Sequence, residues 1–357
     1  MRIFQTFVLP DNLVAKYNLS FAAANFSRNL LSGGGFDKCY SLLPVNVMGE
    51  LPAIGEEGYE VIYSKWRKKG GLWAKLAIFK EQYLVFRQVH AHDSIWMYNL
   101  NIINALLFML LKLFKPSVKL NVIILDFTPA NNWKEQNYWY LKLMNKADGT
   151  ICLAYSDLFK CANTAVLPGV VPISAGQEPL ITTPNNKFLL SGVLRVEIAQ
   201  TSMVLDAFSK LPSCELHITG KIENETLVKK YAEKCDNIIW HGMVSYEEYL
   251  KLLHSCTFVL STRDPNFPEN QCNFPSKIIE SLLHNRIIIS TIEYKQLEGI
   301  MYFITTSEPE HIKLFVESII KLDDAILRSY ANQGSIVAKK FGTKVWNDVM
   351  TKIENTQ

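Results

Sequence analysis

Residues 273–280 combine a predicted helix start with two charged side chains at helical spacing. Their order, Asn-Phe-Pro-Ser-Lys-Ile-Ile-Glu, predicts a loop that turns into a helix, and the apolar run Ile287–Ile289 predicts the strand that follows. Pro275 suits the first helical position, because its missing N–H would have no partner there. The first-turn N–H groups and the helix dipole favour an anion, and Lys277 adds a full positive charge. Glu280, one turn further on, could accept hydrogen bonds from the two hydroxyls of a ribose.

A diphosphate at the helix start with a carboxylate holding the ribose describes a nucleotide-sugar site. The candidate binding residues of this segment are Asn273, Phe274, Pro275, Ser276, Lys277 and Glu280. Arg195 and Arg263 each follow a predicted strand directly, where a phosphate contact is natural. For both arginines another interpretation stays open, because Glu197 could pair with Arg195 and Arg263 could form a salt bridge within its loop.

Asp126 is the candidate catalytic residue in the first half of the chain. It directly follows the predicted strand Asn121–Leu125, and ligands of open α/β sheets bind beyond the carboxyl ends of the strands. A role as catalytic base or in orienting the sugar is one interpretation. Capping of a helix after Pro129 is an equal alternative.

Several known functional motifs are absent from the sequence, and their absence argues against the classes of enzyme that need them. There is no Asp-x-Asp, no P-loop, no Gly-x-Ser-x-Gly and no zinc spacing, so metal-dependent transferases, kinases, hydrolases and metalloenzymes lack support. His90 and His92 are expected to form a solvated pair, since no third ligand is near them. The Gly33–Gly35 run is expected to form a loop that borders a sugar-phosphate. We expect no metal and no cofactor beyond a nucleotide-sugar co-substrate.

The composition predicts a folded protein of two domains. The chain has 357 residues, of which 48% are hydrophobic and 20% charged. Its seven cysteines are scattered without a Cys-x-x-Cys pair, which predicts a reducing, cytoplasmic compartment and no disulfides. Apolar β-branched runs alternate with amphipathic stretches, as in parallel sheets covered by helices on both faces. The predicted strands are Asn121–Leu125, Gly149–Leu153, Lys187–Leu190, Glu215–Ile218, Ile238–Trp240, Thr257–Leu260, Ile287–Ile289 and Tyr302–Ile304.

Predicted helices and one irregular segment define the domain limits. Helices are expected at Thr201–Lys210, Glu223–Lys234 and Tyr246–Ser255, the last opening with a capping box of Ser245 and Glu248. The segment 168–186 contains four prolines and no periodic pattern, which predicts an interdomain linker. We therefore expect an acceptor domain at 1–174, a nucleotide-sugar domain at 175–335, and a C-terminal helix within 336–357 that packs back toward the first domain.

Charge is unevenly distributed along the chain. Residues 1–170 hold 18 Lys and Arg against 12 Asp and Glu, whereas residues 171–357 hold 19 against 22. The mixed basic and aromatic stretch 66–87 would suit docking on a membrane surface, although a packed helix with a solvated basic face is the alternative. The overall charge is too small for a nucleic-acid-binding protein. The most apolar run, 102–114, is too short to cross a membrane.

An ordered set of short motifs resembles a known family. The chain is similar to the donor-binding domain of the GT-B glycosyltransferases, and within them to glycosyltransferase family 4, over about residues 187–295. The matching pieces are Phe188–Arg195, Val204–Phe208, Leu216–Gly220, Ile239–Val244, Cys256–Arg263 and Phe274–Glu280. The resemblance implies an α/β fold of two Rossmann-like parallel-sheet domains that face each other across a cleft. Residues before 187 resemble the family only in outline.

The resemblance also implies roles for individual residues. Glu280 matches the second glutamate of the family's E-x7-E motif, which holds the ribose, and Asn273, Phe274 and Pro275 match the loop beside the sugar and diphosphate. The turn of Gly242, Met243 and Val244 matches the one that edges the base, and Arg195 lies near the basic residue that meets the diphosphate. Two positions depart from the pattern: Cys272 stands where the first glutamate would contact the sugar, and Ala199 or Gln200 replaces a lysine.

The function implied by the resemblance is sugar transfer. We expect a metal-independent, retaining hexosyltransferase that uses a UDP- or GDP-linked donor, with Cys272 leaving the stereochemistry open. The expected acceptor is a lipid-linked oligosaccharide or a cell-surface polysaccharide, reached by peripheral contact of the basic first domain with the inner face of the plasma membrane. The alternatives are a nucleotide-sugar 2-epimerase on the same fold and a non-catalytic nucleotide-sugar-binding or partner protein.

Overall fold

The chain folds into two compact units. A computed structural model describes residues 1–17, 19–33, 35–41, 59–63, 72–172 and 178–356. Unit 1 comprises Met1–Ile173 with Phe341–Gln357, and unit 2 comprises Ser174–Lys340. The last 17 residues therefore belong to the same unit as the first strand.

Unit 1 is built on a seven-stranded parallel sheet with the order β3-β2-β1-β4-β5-β6-β7. Its strands are β1 (Arg2–Thr6), β2 (Lys38–Ser41), β3 (Glu60–Tyr63), β4 (Ser94–Tyr98), β5 (Lys119–Ile124), β6 (Gly149–Cys152) and β7 (Thr164–Val166). Its helices are α1 (Asp11–Lys16), α2 (Phe21–Ser32), α3 (Leu72–Gln88), α4 (Ala105–Phe114) and α5 (Gln136–Met144). The central strands are buried along nearly their whole length, as helices on both faces of a parallel sheet require.

Unit 2 is built on a six-stranded parallel sheet with the order β10-β9-β8-β11-β12-β13. Its strands are β8 (Lys187–Leu194), β9 (Glu215–Ile222), β10 (Ile238–Trp240), β11 (Phe258–Ser261), β12 (Ile287–Ser290) and β13 (Phe303–Ile304). Helices α6 (Val196–Ala199), α7 (Thr201–Phe208), α8 (Glu225–Lys234), α9 (Tyr246–Ser255), α10 (Ser276–Leu283), α11 (Pro309–Ile319) and α12 (Asp324–Ala331) alternate with them or follow them. Short 3-10 turns lie at Pro268–Gln271 and Lys295–Leu297.

The last two helices, α13 (Gly334–Phe341) and α14 (Thr343–Asn355), return the chain to unit 1. On α14, Trp346 is fully buried and donates from its indole nitrogen to the carbonyl of Gly169 at 2.8 Å. Glu354 forms an ion pair of 2.5 Å with Arg2 at the start of β1. These contacts make α14 an integral part of unit 1.

An aromatic stack forms the centre of the unit 2 core. Phe188 on β8 stacks on Phe258 on β11 at 4.6 Å, and Phe208 on α7 packs edge-on against Phe188 at 5.0 Å. All three side chains are fully buried. Alternating strands and helices around this core bring the carboxyl ends of the six strands to one edge of the sheet, where ligands of this architecture bind.

The expectation of two parallel sheets is confirmed, whereas three local expectations are wrong. Strands β8 and β9 each run four residues beyond their predicted ends. The predicted linker is packed in part, because Val171 forms a bridge to Gly342 and Ile181 joins the core of unit 2. The alternation of strand and helix patterns along the sequence could not reveal these three differences, because packing rather than the local pattern decides where the segments end.

The glycine run of the first half does not border a ligand edge. Gly33 ends α2, and the carbonyl of Gly35 accepts a 3.2 Å hydrogen bond from Arg2 at the start of β1. Both glycines therefore lie at the amino-terminal edge of the sheet, so the expected role beside a sugar-phosphate is wrong for them; Gly34 lies outside the described residues. Within the described ranges, no helix is both long enough and apolar enough to cross a bilayer.

Candidate functional site

The predicted anion-binding helix is α10, which opens at the carboxyl edge of the unit 2 sheet. It begins at Ser276, and Pro275 is the N-cap residue with an extended ψ of 106°. The prediction that Pro275 is the first helical residue is therefore wrong by one position. The carbonyl of Pro275 accepts the N–H of Ile278 at 3.0 Å, and no side chain at the N-cap position bonds to the first-turn N–H groups. Such a start favours an anion through its N–H groups and dipole.

Glu280 is held by three side chains. The hydroxyls of Tyr246 and Tyr249, both on α9, donate to its carboxylate at 3.3 and 3.0 Å. Lys277, one turn back on α10, lies 3.5 Å from the same carboxylate. A carboxylate has about four lone-pair positions, so two phenols and an ammonium leave acceptor capacity for further hydroxyls. Its side chain remains 28% exposed, which permits contact with a ligand.

The two tyrosines remain protonated hydrogen-bond donors over the physiological pH range. Burial, together with the negative charge of Glu280, raises the pKa of Tyr246 to about 12. The same two causes raise the pKa of Tyr249 well above its ordinary value. The ring of Tyr249 also lies beneath the ammonium of Lys277, 3.9 Å from its centroid. Tyr249 therefore positions both charged residues that the sequence singled out.

Glycines on adjacent strands leave a bare backbone surface beside Lys277. Gly192 on β8 and Gly220 on β9 are register partners, with φ of +126° and +124°. A Cβ on Gly220 would lie 2.1 Å from the Gly192 carbonyl oxygen, so no side chain fits there. A Cβ on Gly192 would lie 3.4 Å from the Lys277 side chain. The methylene carbons of Lys277 thus lie beside the backbone of Gly192.

The turn of Gly242, Met243 and Val244 continues this surface. The carbonyl of Gly242 accepts from the Gly220 N–H at 3.1 Å and from the Thr219 hydroxyl at 2.7 Å, which fixes the turn against β9. Gly242 has φ of +71°, with open space where a Cβ would be. Met243 is 77% exposed and Val244 half-buried, so the turn offers an apolar edge.

His241, which precedes this turn, is paired inside the protein. Its Nε2 lies 2.9 Å from Nδ1 of His217, whose other nitrogen lies 3.2 Å from Glu215. Burial lowers the pKa of His217, and burial together with His217 lowers that of His241. His241 is thus part of a histidine pair that joins β9 to the residue after β10.

The two candidate arginines both hold the Pro268–Gln271 turn. Arg195 pairs with Glu269 at 3.0 Å, and Arg263 donates to the buried side chain of Asn270 at 3.0 Å. The Arg195 side chain is 55% exposed, whereas that of Glu269 is only 17% exposed, so a diphosphate that binds Arg195 must compete with a largely buried carboxylate. The observed partner of Arg195 is Glu269.

The loop between this turn and α10 is packed inward. Cys272 is 2% exposed, and its thiol lies 3.6 and 3.5 Å from the carbonyls of Pro268 and Glu269. Phe274 is buried edge-on against Tyr294 at 4.9 Å. These two side chains anchor the loop, and Phe274 can meet a ligand only through its backbone. The Asn273 N–H bonds to the carbonyl of Glu269 at 3.1 Å, while Ser276 is exposed at the start of α10.

Asp126 lies in unit 1, apart from the residues that unit 2 brings together. One residue separates it from the end of β5, and its side chain is exposed at the carboxyl edge of that sheet. Its carbonyl accepts from the Asn99 side chain at 3.4 Å. Burial, and to a smaller extent the charge of Asp126, raises the pKa of Tyr98 on the neighbouring β4.

Sequence reasoning missed Tyr246, Tyr249, Gly192 and Gly220. The tyrosines carried no signal, since their role depends on α9 lying beside α10. The glycines did carry one, because a polar residue followed by glycine recurs at Ser191-Gly192, Thr219-Gly220 and His241-Gly242, near the carboxyl ends of β8 and β9 and just after β10.

Comparison with solved structures identifies proteins that share this fold. Trehalose-6-phosphate synthase OtsA superposes with a TM-score of 0.69 over 100% of this chain and 99% of that chain, at 8% identity. HepE of Anabaena, solved in complex with UDP, has a TM-score of 0.67 over 99% of both chains, at 14% identity. The trehalose-6-phosphate phosphatase N-terminal domain of Candida albicans has a TM-score of 0.68 over 99% and 97%, at 12% identity.

These proteins resemble the chain in structure but not in sequence. No protein-family model matches the chain, and no curated protein matches it in sequence. The two parallel sheets and their flanking helices nevertheless give the chain the GT-B fold, as the sequence motifs predicted.

Proposed function

We propose that this protein is a metal-independent glycosyltransferase that moves a sugar from a UDP- or GDP-linked donor to a glycan. The observation that carries the proposal is the position of Glu280, one turn into α10 and held there by Tyr246, Tyr249 and Lys277. Two features lend support: the bare glycine surface beside Lys277, and the shared fold of HepE, which binds UDP in one structure and UDP with glucose in another.

Each part of the donor has a proposed contact in unit 2. Glu280 accepts the ribose hydroxyls, and the turn of Gly242, Met243 and Val244 edges the base. The diphosphate lies over the glycine surface between the start of α10, Lys277 and Arg195. When the bond from sugar to phosphate breaks, the diphosphate leaves with the electron pair, and these cations and the helix dipole stabilise its charge without a metal.

The acceptor is the second half of the proposal. A hydroxyl of the acceptor glycan forms the new bond to the sugar and loses its proton, for which Asp126 is the candidate base. We further propose a retaining, hexosyl transfer of the family 4 type. Retention of the configuration of the transferred sugar is the outcome to test first, because the buried Cys272 replaces the sugar-contacting glutamate of that family.

Unit 1 carries a surface suited to a lipid-linked acceptor. On α4, Leu113 and Phe114 are 73% and 67% exposed. Phe114 packs edge-on against Phe86 of α3 at 6.5 Å, and the ammonium of Lys115 lies 4.4 Å from the Phe86 ring centroid. We group with them the exposed side chains of α3, which are Trp73, Leu76, Phe79 and Tyr83 with the cations Lys75, Lys80 and Arg87. Lys112 on α4 is paired with Asp148 at 2.5 Å. Residues 66–69 of the predicted basic stretch lie outside the described residues.

We propose that this surface contacts anionic lipid at the inner face of the plasma membrane. Apolar side chains interspersed with cations suit such a contact, because burial in the interface and attraction to the headgroups add together. In a flotation assay with vesicles containing anionic lipid, the wild type should float. A variant with Leu113→Ser and Phe114→Ser should float less. Equal flotation of the two proteins would refute this part of the proposal.

A donor panel tests the enzymatic part. The protein is incubated with UDP- and GDP-linked sugars in the presence of a chelator, and free nucleoside diphosphate is measured. We expect slow hydrolysis of one donor class, lost in Glu280→Gln. Binding of a nucleotide sugar with no release, with or without added glycans, would instead support a non-catalytic binding protein, the candidate that the inward-facing Cys272 favours.

A further inference from the structure

Three metal-ligating side chains meet at the opposite edge of unit 2 from the start of α10. They are Glu178, His254 in the last turn of α9, and His284 at the end of α10. Nε2 of His254 lies 2.9 Å from Nδ1 of His284. One carboxylate oxygen of Glu178 lies 3.7 Å from the first nitrogen and 3.3 Å from the second.

These separations fit one tetrahedral cation. Zinc bonds to imidazole nitrogen and carboxylate oxygen are about 2.0–2.2 Å long, so two ligand atoms on one zinc lie about 3.3 Å apart. The observed separations of 2.9, 3.3 and 3.7 Å average close to that value. A point equidistant from all three atoms lies about 2 Å from each, which is the length of a zinc–ligand bond.

The backbone of every ligand is fixed by a neighbouring side chain. Arg286 donates from Nε to the carbonyl of His284 at 2.8 Å and from a terminal nitrogen to that of His254 at 3.2 Å. Asn285 donates to the carbonyl of Glu178 at 2.9 Å. The three ligands therefore need little rearrangement to bind a cation, which lowers the entropic cost of binding.

Solvent can reach the cluster. Side-chain exposures of 35% for His254 and 37% for Glu178 leave a path from solvent. Three protein ligands leave a fourth position for water.

We propose that Glu178, His254 and His284 form a zinc site that clamps the last turn of α9 to the carboxyl end of α10, opposite the start of α10. The same two helices are joined about one turn away by the bond from Tyr249 to Glu280, and the His284 N–H bonds to the carbonyl of Glu280 at 3.1 Å. Zinc in this position stabilises unit 2 and takes no part in sugar transfer. The expected function of Glu280 does not depend on it.

Zinc binding to the full-length protein tests the proposal directly. After dialysis against a chelator and then metal-free buffer, titration with zinc chloride in a calorimeter should show one equivalent bound. His254→Gln or His284→Gln should weaken binding more than about 100-fold, since even indirect partners of zinc ligands cost 10–100-fold. Substituted cobalt should give visible d–d bands without the thiolate charge-transfer band that binding by a free cysteine would produce.

His311→Gln is the matched control, because His311 also lies 3.3 Å from a glutamate but is not part of the cluster. It should bind zinc as the wild type does. If the two histidine variants fail to fold, the half-exposed Glu178→Gln decides, with an expected loss of more than about tenfold. No zinc binding by the wild type, or unchanged binding by all three ligand variants, would overturn the site.

Discussion

The hydroxyl of Tyr249 donates a 3.0 Å hydrogen bond to the Glu280 carboxylate, and the same aromatic ring supports the Lys277 ammonium from below. One buried side chain of α9 therefore sets the positions of both an anion and a cation on α10. The methylene carbons of Lys277 lie beside Gly192 of β8, whereas the carboxylate keeps capacity for hydroxyl donors. This relationship is the physical basis for assigning the nucleotide to unit 2.

Removing the Tyr249 hydroxyl should weaken nucleotide binding while preserving the fold. Tyr249→Phe keeps the ring beneath Lys277 but removes a charge-assisted hydrogen bond, which contributes about 1.5–3 kcal/mol. We expect the Kd for UDP or GDP to rise about tenfold or more in calorimetry. Tyr246→Phe is the control, with a smaller effect, because its bond is 3.3 Å long and its side chain is exposed. Equal, negligible effects of both changes would contradict a positioning role.

The close approach of β8 and β9 should make Gly220 irreplaceable. Gly220→Ala places a Cβ 2.1 Å from a backbone oxygen at a φ of +124°, so the strands must separate. Strain of this kind costs about 1–3 kcal/mol before the steric overlap is counted. Gly242→Ala, where a Cβ meets open space, should lower the melting temperature less. A melting temperature for Gly220→Ala equal to that of the wild type would show that the glycine pair is not under this constraint.

Restoring a glutamate at position 272 should not restore a sugar contact. The Cys272 side chain is buried beside two carbonyl oxygens, so Cys272→Glu would bury a carboxylate among acceptors without a partner. We expect a loss of roughly 3 kcal/mol of unfolding free energy in urea titration and no gain in donor hydrolysis. Cys272→Ser serves as the small, polar control. Higher hydrolysis with unchanged stability would mean that this position faces the sugar.

Glu354 should stabilise unit 1 in a pH-dependent manner. Burial alone would raise its pKa, but hydrogen bonds from Arg2, Ser94 and Trp96 outweigh burial and hold the pKa below the ordinary value of 4.5. A lowered folded-state pKa means that the stabilisation is complete above about pH 4.5 and is lost as the pH falls through the folded value.

Glu354→Gln tests this directly. At pH 7 it should lower the unfolding free energy by about 3 kcal/mol, because Arg2 loses its partner in a largely buried pair. The difference from the wild type should shrink as the pH is lowered from 5 toward 3, measured by urea unfolding. A difference that stays constant over that range would refute the linkage.

Local signals in the sequence predicted much of unit 2. The capping box of Ser245 and Glu248 is present, and α9 has its predicted bounds. Strand β10 also has its predicted bounds, because turn residues flank a short apolar run. Strand β4 was not among the predicted strands; two of its side chains, Ser94 and Trp96, bond to Glu354, which no local pattern links to them.

Contacts between residues distant in sequence could not be predicted. Arg2 and Glu354 lie at the two ends of the chain, and nothing local links them. Glu178, His254 and His284 likewise have no metal-binding spacing, and they meet only because α9 and α10 end side by side. The α10 motif could be predicted because its residues are contiguous in the sequence. The two tyrosines that bond to Glu280 could not be predicted, because they lie on the preceding helix.

Nucleotide binding with and without Glu280 tests the central claim most directly. Melting temperatures are measured with UDP and with GDP in the presence of a chelator, for the wild type and Glu280→Ala. At a hundredfold excess over Kd, binding should add about 2.7 kcal/mol to the unfolding free energy of the wild type. The account predicts that one nucleotide raises the melting temperature of the wild type and that Glu280→Ala abolishes the shift. No shift with either nucleotide, or an equal shift in the variant, would contradict it.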